Sequence, residues 1–265
     1  MLIQERLIAR VRALCHVDER LVAALTYGSF VSGEADAHSD IEFWLFFDAS
    51  AEAVLDKRAW LHAIATIRYS MVNEFGAHVV FFPGLIRGEF HFATAGDIRS
   101  VATWPARGGP TDQMIVVDRN GALRRALESL PPRPGLPAAP EEVDELCGRF
   151  ANWLVLAHHV ARRGELLRAV DALAHAQRHL LWMARLAENR TQHWLTPSRS
   201  AETDLPAGVL LALRQVAGVA EPDSLAAAVA AAWVLGRRYW QLLANRTGCR
   251  VPDELFTELD TAFGT

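Results

Sequence analysis

Tyr27-Gly28-Ser29-Phe30, followed by Gly33 and then by Ser39-Asp40-Ile41-Glu42, joins a turn suited to phosphate to a strand carrying two carboxylates. Gly28 lacks a Cβ, so the chain can turn sharply after an apolar strand and bring backbone N–H groups up to phosphate oxygens, with the Ser29 hydroxyl as a further donor. In the following strand the side chains alternate faces: Asp40 and Glu42 share one, with Cα atoms about 6.5 Å apart, while Ile41, Phe43 and Leu45 take the other. Hard carboxylate oxygens suit Mg²⁺, which binds few protein groups and completes its shell with phosphates and water. Two such ions, roughly 3.5 to 4 Å apart, stabilise both attacking and leaving oxygens in phosphoryl transfer. The alternative, a solvated strand face, is disfavoured because Trp44 and Phe46 continue the same face.

Outward from this stretch, Leu21 to Thr26, Asp40 to Phe47, Ala77 to Phe82 and Leu85 to Phe92 read as strands, and about Ala53 to Glu74 as a helix. Residues 1–130 therefore have an α/β pattern. Pro131-Pro132-Arg133-Pro134-Gly135-Leu136-Pro137 fixes φ and lacks amide donors, which places a linker over 131–140. In 141–265 the spacing predicts helices over Glu141 to Arg163, Glu165 to Asn189, Leu205 to Ala217 and Ser224 to Asn245, with Gly164, Pro197 and Gly248 at the breaks. The expectation is an α+β chain: a mixed-sheet domain followed by a helical bundle whose neighbours run antiparallel across short loops.

An acceptor hydroxyl also needs its proton removed. In Arg87-Gly88-Glu89-Phe90-His91-Phe92, Arg87, Glu89 and His91 share one face of an extended segment, and Glu89 is its one carboxylate. Glu89 is thus the candidate general base; its other reading is an ion-pair partner of Arg87. Burial beside Phe90 and Phe92 would raise its pKa toward working pH, and Arg87 would lower it. His91 reads as a packed or hydrogen-bonded histidine.

At 265 residues and 51% hydrophobic, the chain can build substantial cores, and its formal charge of −4 disfavours a general polyanion binder. A small substrate fits better than nucleic acid. Cys15, Cys147 and Cys249 have no disulfide or zinc spacing, consistent with a reducing cytoplasm. Met1 to Arg12 reads as an amphipathic helix rather than an export signal, and the apolar run Leu225 to Leu235 is too short to span a bilayer.

In the helical half, Gln177, Arg178 and Arg199 are candidates for the triphosphate, since leaving pyrophosphate needs positive charge; otherwise they solvate helix faces. His158-His159, His175 and His179 read as packing or solvent-facing residues rather than metal ligands. Trp153, Trp182, Trp194, Trp233 and Trp240 read mainly as core, with one or two lining a pocket. Arg168 and His175, seven apart, leave open a regulatory interaction protein that uses an Arg–His pair.

Tyr27-Gly28-Ser29-Phe30, Ser39-Asp40-Ile41-Glu42-Phe43, Leu85-Ile86-Arg87-Gly88-Glu89-Phe90-His91-Phe92 and Arg163-Gly164-Glu165 resemble the lincosamide nucleotidyltransferases nearly end to end. The resemblance implies a polymerase-β-like nucleotidyltransferase domain followed by a helical domain, and transfer of AMP from ATP to a sugar hydroxyl of lincomycin or clindamycin. It makes Asp40 and Glu42 magnesium ligands and Glu89 the base, and it implies a homodimer with clefts completed across subunits. Glu42 departs from the wider superfamily, which usually has Asp there. An aminoglycoside nucleotidyltransferase, which shares the metal site, is the nearest enzymatic alternative; an acidic pocket would favour it.

Overall fold

A computed structural model describes Met1–Gly264, and the chain divides into two compact units, Met1–Pro134 and the part from Gly135 onward. The first unit contains strands β1 (Leu21–Thr26), β2 (Ile41–Phe47), β3 (Tyr69–Val72), β4 (His78–Phe82), β5 (Ile86–Thr94) and β6 (Ile115–Asp118). Its helices are α1 (Ile3–Val17), α2 (Ser29–Ser32), α3 (Ala49–Glu52), α4 (Lys57–His62), α5 (Ile98–Val101), α6 (Thr111–Met114) and α7 (Ala122–Glu128).

The sheet order is β3-β4-β5-β2-β1-β6, and every neighbouring pair is antiparallel except β2 with β5. Period-two alternation gives the sheet two covered faces. Ile41, Phe43, Leu45 and Phe90 pack with Leu7, Val11 and Cys15 of α1 and with Trp60 and Leu61 of α4. Leu25 and Phe46 pack on the opposite side with Ile98, Val101, Leu123 and Leu127. The mixed sheet followed by a helical half is the α+β class expected from the sequence.

One expected element is replaced. The helix over Ala53 to Glu74 is instead α3, α4 and the edge strand β3. The Asp56 carboxylate accepts from the Ala59 amide at 2.8 Å, starting a new helix at Lys57. Beyond it, β-branched Thr66 and Ile67 lower helix propensity, and Tyr69–Val72 gains a ladder with β4 that local periodicity does not reveal. The other edge strand, β6, pairs only with β1 and is likewise not expected from the sequence.

The second unit contains α8 (Pro140–Arg162), α9 (Leu166–Ala187), α10 (Ala201–Asp204), α11 (Ala207–Gln215), α12 (Pro222–Thr247) and α13 (Asp253–Phe263). Long helices α8, α9 and α12 form its core through Phe150, Leu154, Leu173, Leu180 and Trp233. At Gly236 an added Cβ would lie 2.2 Å from the Phe150 ring, so glycine lets α12 approach α8 closely. Gly248, at φ 76°, ends α12 in the left-handed conformation.

Arg185 is fully buried, a position the sequence did not single out. Its guanidinium donates to the carbonyls of Pro197 (2.6 Å), Arg190 (2.9 Å) and Arg199 (2.5 Å) and to Asp204 Oδ2 (2.8 Å). One side chain thereby ties down the segment between α9 and α10. Removing one member of a buried ion pair strands the other, so Arg185→Ala should destabilise the protein by about 3 to 5 kcal/mol. Urea unfolding followed by helical circular dichroism checks this; an unchanged midpoint would refute the structural role.

Candidate active site

The turn after β1 is built on Gly28, whose φ of 77° and ψ of −153° lie in a region essentially closed to other residues. Space imposes the same requirement: a Cβ at Gly28 would fall 1.7 Å from Glu42 Oε2. The Glu42 carboxylate therefore lies against the turn, and the Tyr27 amide donates to the Glu42 carbonyl at 3.3 Å. Ser29 opens the short α2, in which the Val31 and Ser32 amides both donate to the Gly28 carbonyl at 3.1 Å.

The parallel β2–β5 pairing sets Glu42 opposite Glu89 and Trp44 opposite His91. At the ordinary interstrand spacing of about 4.8 Å, both carboxylates share one face. Arg87, one side-chain step before Glu89, donates to Asp40 Oδ2 at 2.6 Å and to Glu89 Oε2. Glu89 Oε1 accepts from the Tyr27 hydroxyl at 3.3 Å and meets His91 Nε2 at 3.2 Å; against a carboxylate that nitrogen must donate. The His91 ring stacks on Trp44, with centroids 4.0 Å apart and planes 3° from parallel.

Asp40, Glu42 and Glu89, all singled out from the sequence, thus come together beside Gly28 and Ser29. His91 is packed on Trp44 and hydrogen-bonded, as expected, whereas Tyr27 and Trp44 join the site through a register that is not written locally. Arg178 and Arg199 lie in the second unit: Arg178 is exposed on α9, and Arg199 follows Pro197 with its carbonyl engaged by Arg185. Arg168 pairs with exposed Glu165, and His175 stacks on Trp153. His179 makes a 2.9 Å hydrogen bond to the His175 carbonyl. Trp233 and Trp240 are core; Trp182 and Trp194 line a cavity of about 450 Å³ within the second unit.

Burial raises the pKa of Glu89, but Arg87 and His91 outweigh it, and the carboxyl ends below its ordinary value. Burial lowers His91 more than Glu89 raises it, leaving a neutral imidazole near pH 7. Burial first, then the charges of Glu42 and Glu89, push the Tyr27 phenol far up, so it stays a donor. The oxygen donors of Asp40 and Glu42 fit a magnesium ion chemically, and Arg87 already brings positive charge to the cluster. Among the described residues, no three His, Cys, Asp or Glu side chains are disposed to hold a metal in this arrangement.

Residues 139–262 match the family model described as lincosamide nucleotidyltransferase-like, C-terminal domain. Those residues, most of the helical half, are similar to that family's C-terminal domain. Among solved structures, an aminoglycoside 6-adenyltransferase from Bacillus subtilis is 11% identical, with 98% of this chain and 97% of that one covered and a TM-score of 0.45. A nucleotidyltransferase-like protein from Exiguobacterium sibiricum 255-15 is 12% identical, with 92% and 77% covered and a TM-score of 0.38. At those scores neither likeness bears on function. No curated protein matches the chain. No helix among the described residues is long and apolar enough to cross a membrane.

Two outcomes follow for this site. Gly28→Ala should lower stability by about 1 to 3 kcal/mol from backbone strain alone, with the Glu42 overlap adding to it, as thermal melting would read. Glu89, depressed in the fold, stabilises it fully above the ordinary glutamate pKa and loses that contribution as pH falls through the folded-state value. Glu89→Gln should therefore flatten the acid side of the stability–pH curve, whereas an identical curve would mean that Glu89 is unperturbed.

Proposed function

We propose that this protein is an adenylyltransferase that moves AMP from ATP to a sugar hydroxyl of a lincosamide such as lincomycin or clindamycin. The observation that carries this reading is the Glu42–Glu89 register beside Gly28, in a chain whose residues 139–262 match the lincosamide nucleotidyltransferase-like C-terminal domain. The first unit is read as the polymerase-β-like nucleotidyltransferase domain, working in the cytoplasm where ATP is available, and the active species as a homodimer.

Each residue has a part on this reading. The Gly28–Ser29 turn receives the triphosphate with backbone amides and a hydroxyl. Asp40 and Glu42 would hold Mg²⁺, two ions in all; when bound, the metal neutralises charge on the attacking and leaving oxygens. Glu89 accepts the proton of the acceptor hydroxyl, with Tyr27 and His91 fixing the direction of its carboxylate. Because Arg87 bonds Glu89 Oε2, that oxygen becomes a free acceptor only when the guanidinium moves. Arg178 and Arg199 are assigned to the leaving pyrophosphate as sources of positive charge.

Mass spectrometry of lincomycin and clindamycin after incubation with ATP and Mg²⁺ should find the added mass of an adenylyl group. Glu89→Gln should lower kcat by about 10² to 10⁴-fold, the range of a general base, with ATP binding retained. Aminoglycosides belong in the same panel: adenylylation of those alone would transfer the substrate assignment to the aminoglycoside alternative. If no acceptor were adenylylated, the proposal would be wrong.

A further inference from the structure

Arg87 is the cationic side chain that links two carboxylates, Asp40 immediately before β2 and Glu89 on β5. Its bond to Asp40 is short, 2.6 Å, and involves Oδ2, one of the two oxygens Asp40 can offer a cation. About a third of the Arg87 and Asp40 side chains remains exposed, so the pair is open to exchange rather than sealed like Arg185 with Asp204. Resting on the metal-site reading above, we propose that Arg87 is the resident counter-ion of the metal-free acidic cluster and competes with a divalent cation for Asp40.

The physical basis is that Arg87 holds Asp40 and Glu89 on one guanidinium, whose charge offsets the repulsion between the two carboxylates. It reaches Asp40 through one terminal nitrogen and Glu89 through the other. A divalent cation arriving at Asp40 has to break that charge-assisted bond. The displaced guanidinium then needs a new anion, and the phosphates of a nucleoside triphosphate are anions it binds in the same forked manner. Metal and triphosphate consequently bind better together than separately, and by linkage each raises the affinity of the other equally.

The test is Mn²⁺ binding, followed by electron paramagnetic resonance and calorimetry on the full-length protein, with and without a non-hydrolysable ATP analogue. Arg87→Ala should bind Mn²⁺ up to about fivefold more tightly than wild type without nucleotide, the upper range for an exposed ion pair. It should also lose most of the nucleotide-induced gain. Arg87→Gln, closer in shape, guards against a folding defect and should behave likewise, while Arg87→Lys should lie between. Equal or weaker Mn²⁺ binding by folded Arg87→Ala and Arg87→Gln would overturn the proposal. Asp40→Asn separates the two failures: if it abolishes wild-type Mn²⁺ binding, the metal reading stands even when the Arg87 variants refute the competition. If wild type and Asp40→Asn both fail to bind Mn²⁺, the metal reading falls and this proposal with it.

Discussion

The parallel pairing of β2 with β5 is the constraint on which the first unit depends. Parallel neighbours cannot be joined by a tight turn, and the crossover from Asp48 to Leu85 carries α3, α4, β3 and β4. Their register fixes both faces of the sheet at once. On one face Phe43 stacks on Phe90, with centroids 5.7 Å apart, within the core shared with α1. On the other, Glu42 meets Glu89 and Trp44 meets His91. A slip of one residue would drive the carboxylates into the core and expose the phenylalanines, so the apolar packing that stabilises the sheet also holds the acidic site in place.

Two arginines in the molecule illustrate how surroundings assign a role to one side chain. Arg185 is fully buried and spends most of its donors on backbone carbonyls, with Asp204 supplying the compensating charge. Such an arrangement has little freedom, because any donor withdrawn would leave a polar group without water to replace it. Arg87 bonds carboxylates on a partly open face. Water and incoming ions can take over its contacts there, which gives the pair the capacity to rearrange. The same contrast separates the two electrostatic tendencies at Glu89: burial alone would raise its pKa, but a guanidinium at bonding distance dominates.

Glycine has an equally specific task at two places. At Gly28 the missing side chain is required both by the backbone angles and by the Glu42 carboxylate, so the turn and the acid come as one unit. At Gly236 the constraint is purely steric, the Phe150 ring filling the space that a methyl would need. Neither substitution pressure is visible in composition, and each follows from atoms distant in the chain.

The sequence by itself determined the α+β order, the positions of β1, β2, β4 and β5, the long helices of the second unit, and the sharing of one face by Arg87, Glu89 and His91. These follow from local rules: alternation in strands, helical spacing, and the special backbones of glycine and proline. The separate strands β3 and β6 were not legible, because each is stabilised by a neighbour strand rather than by its own pattern; Tyr69–Val72 in particular is exposed throughout. Only the tertiary structure decided that Glu42 stands opposite Glu89, that Arg87 bridges to Asp40 rather than pairing with Glu89 alone, and that Tyr27 and Trp44 join the group. Strand register and buried ion pairing depend on energies between residues far apart in sequence, and local propensity contains no information about which distant partner will be met.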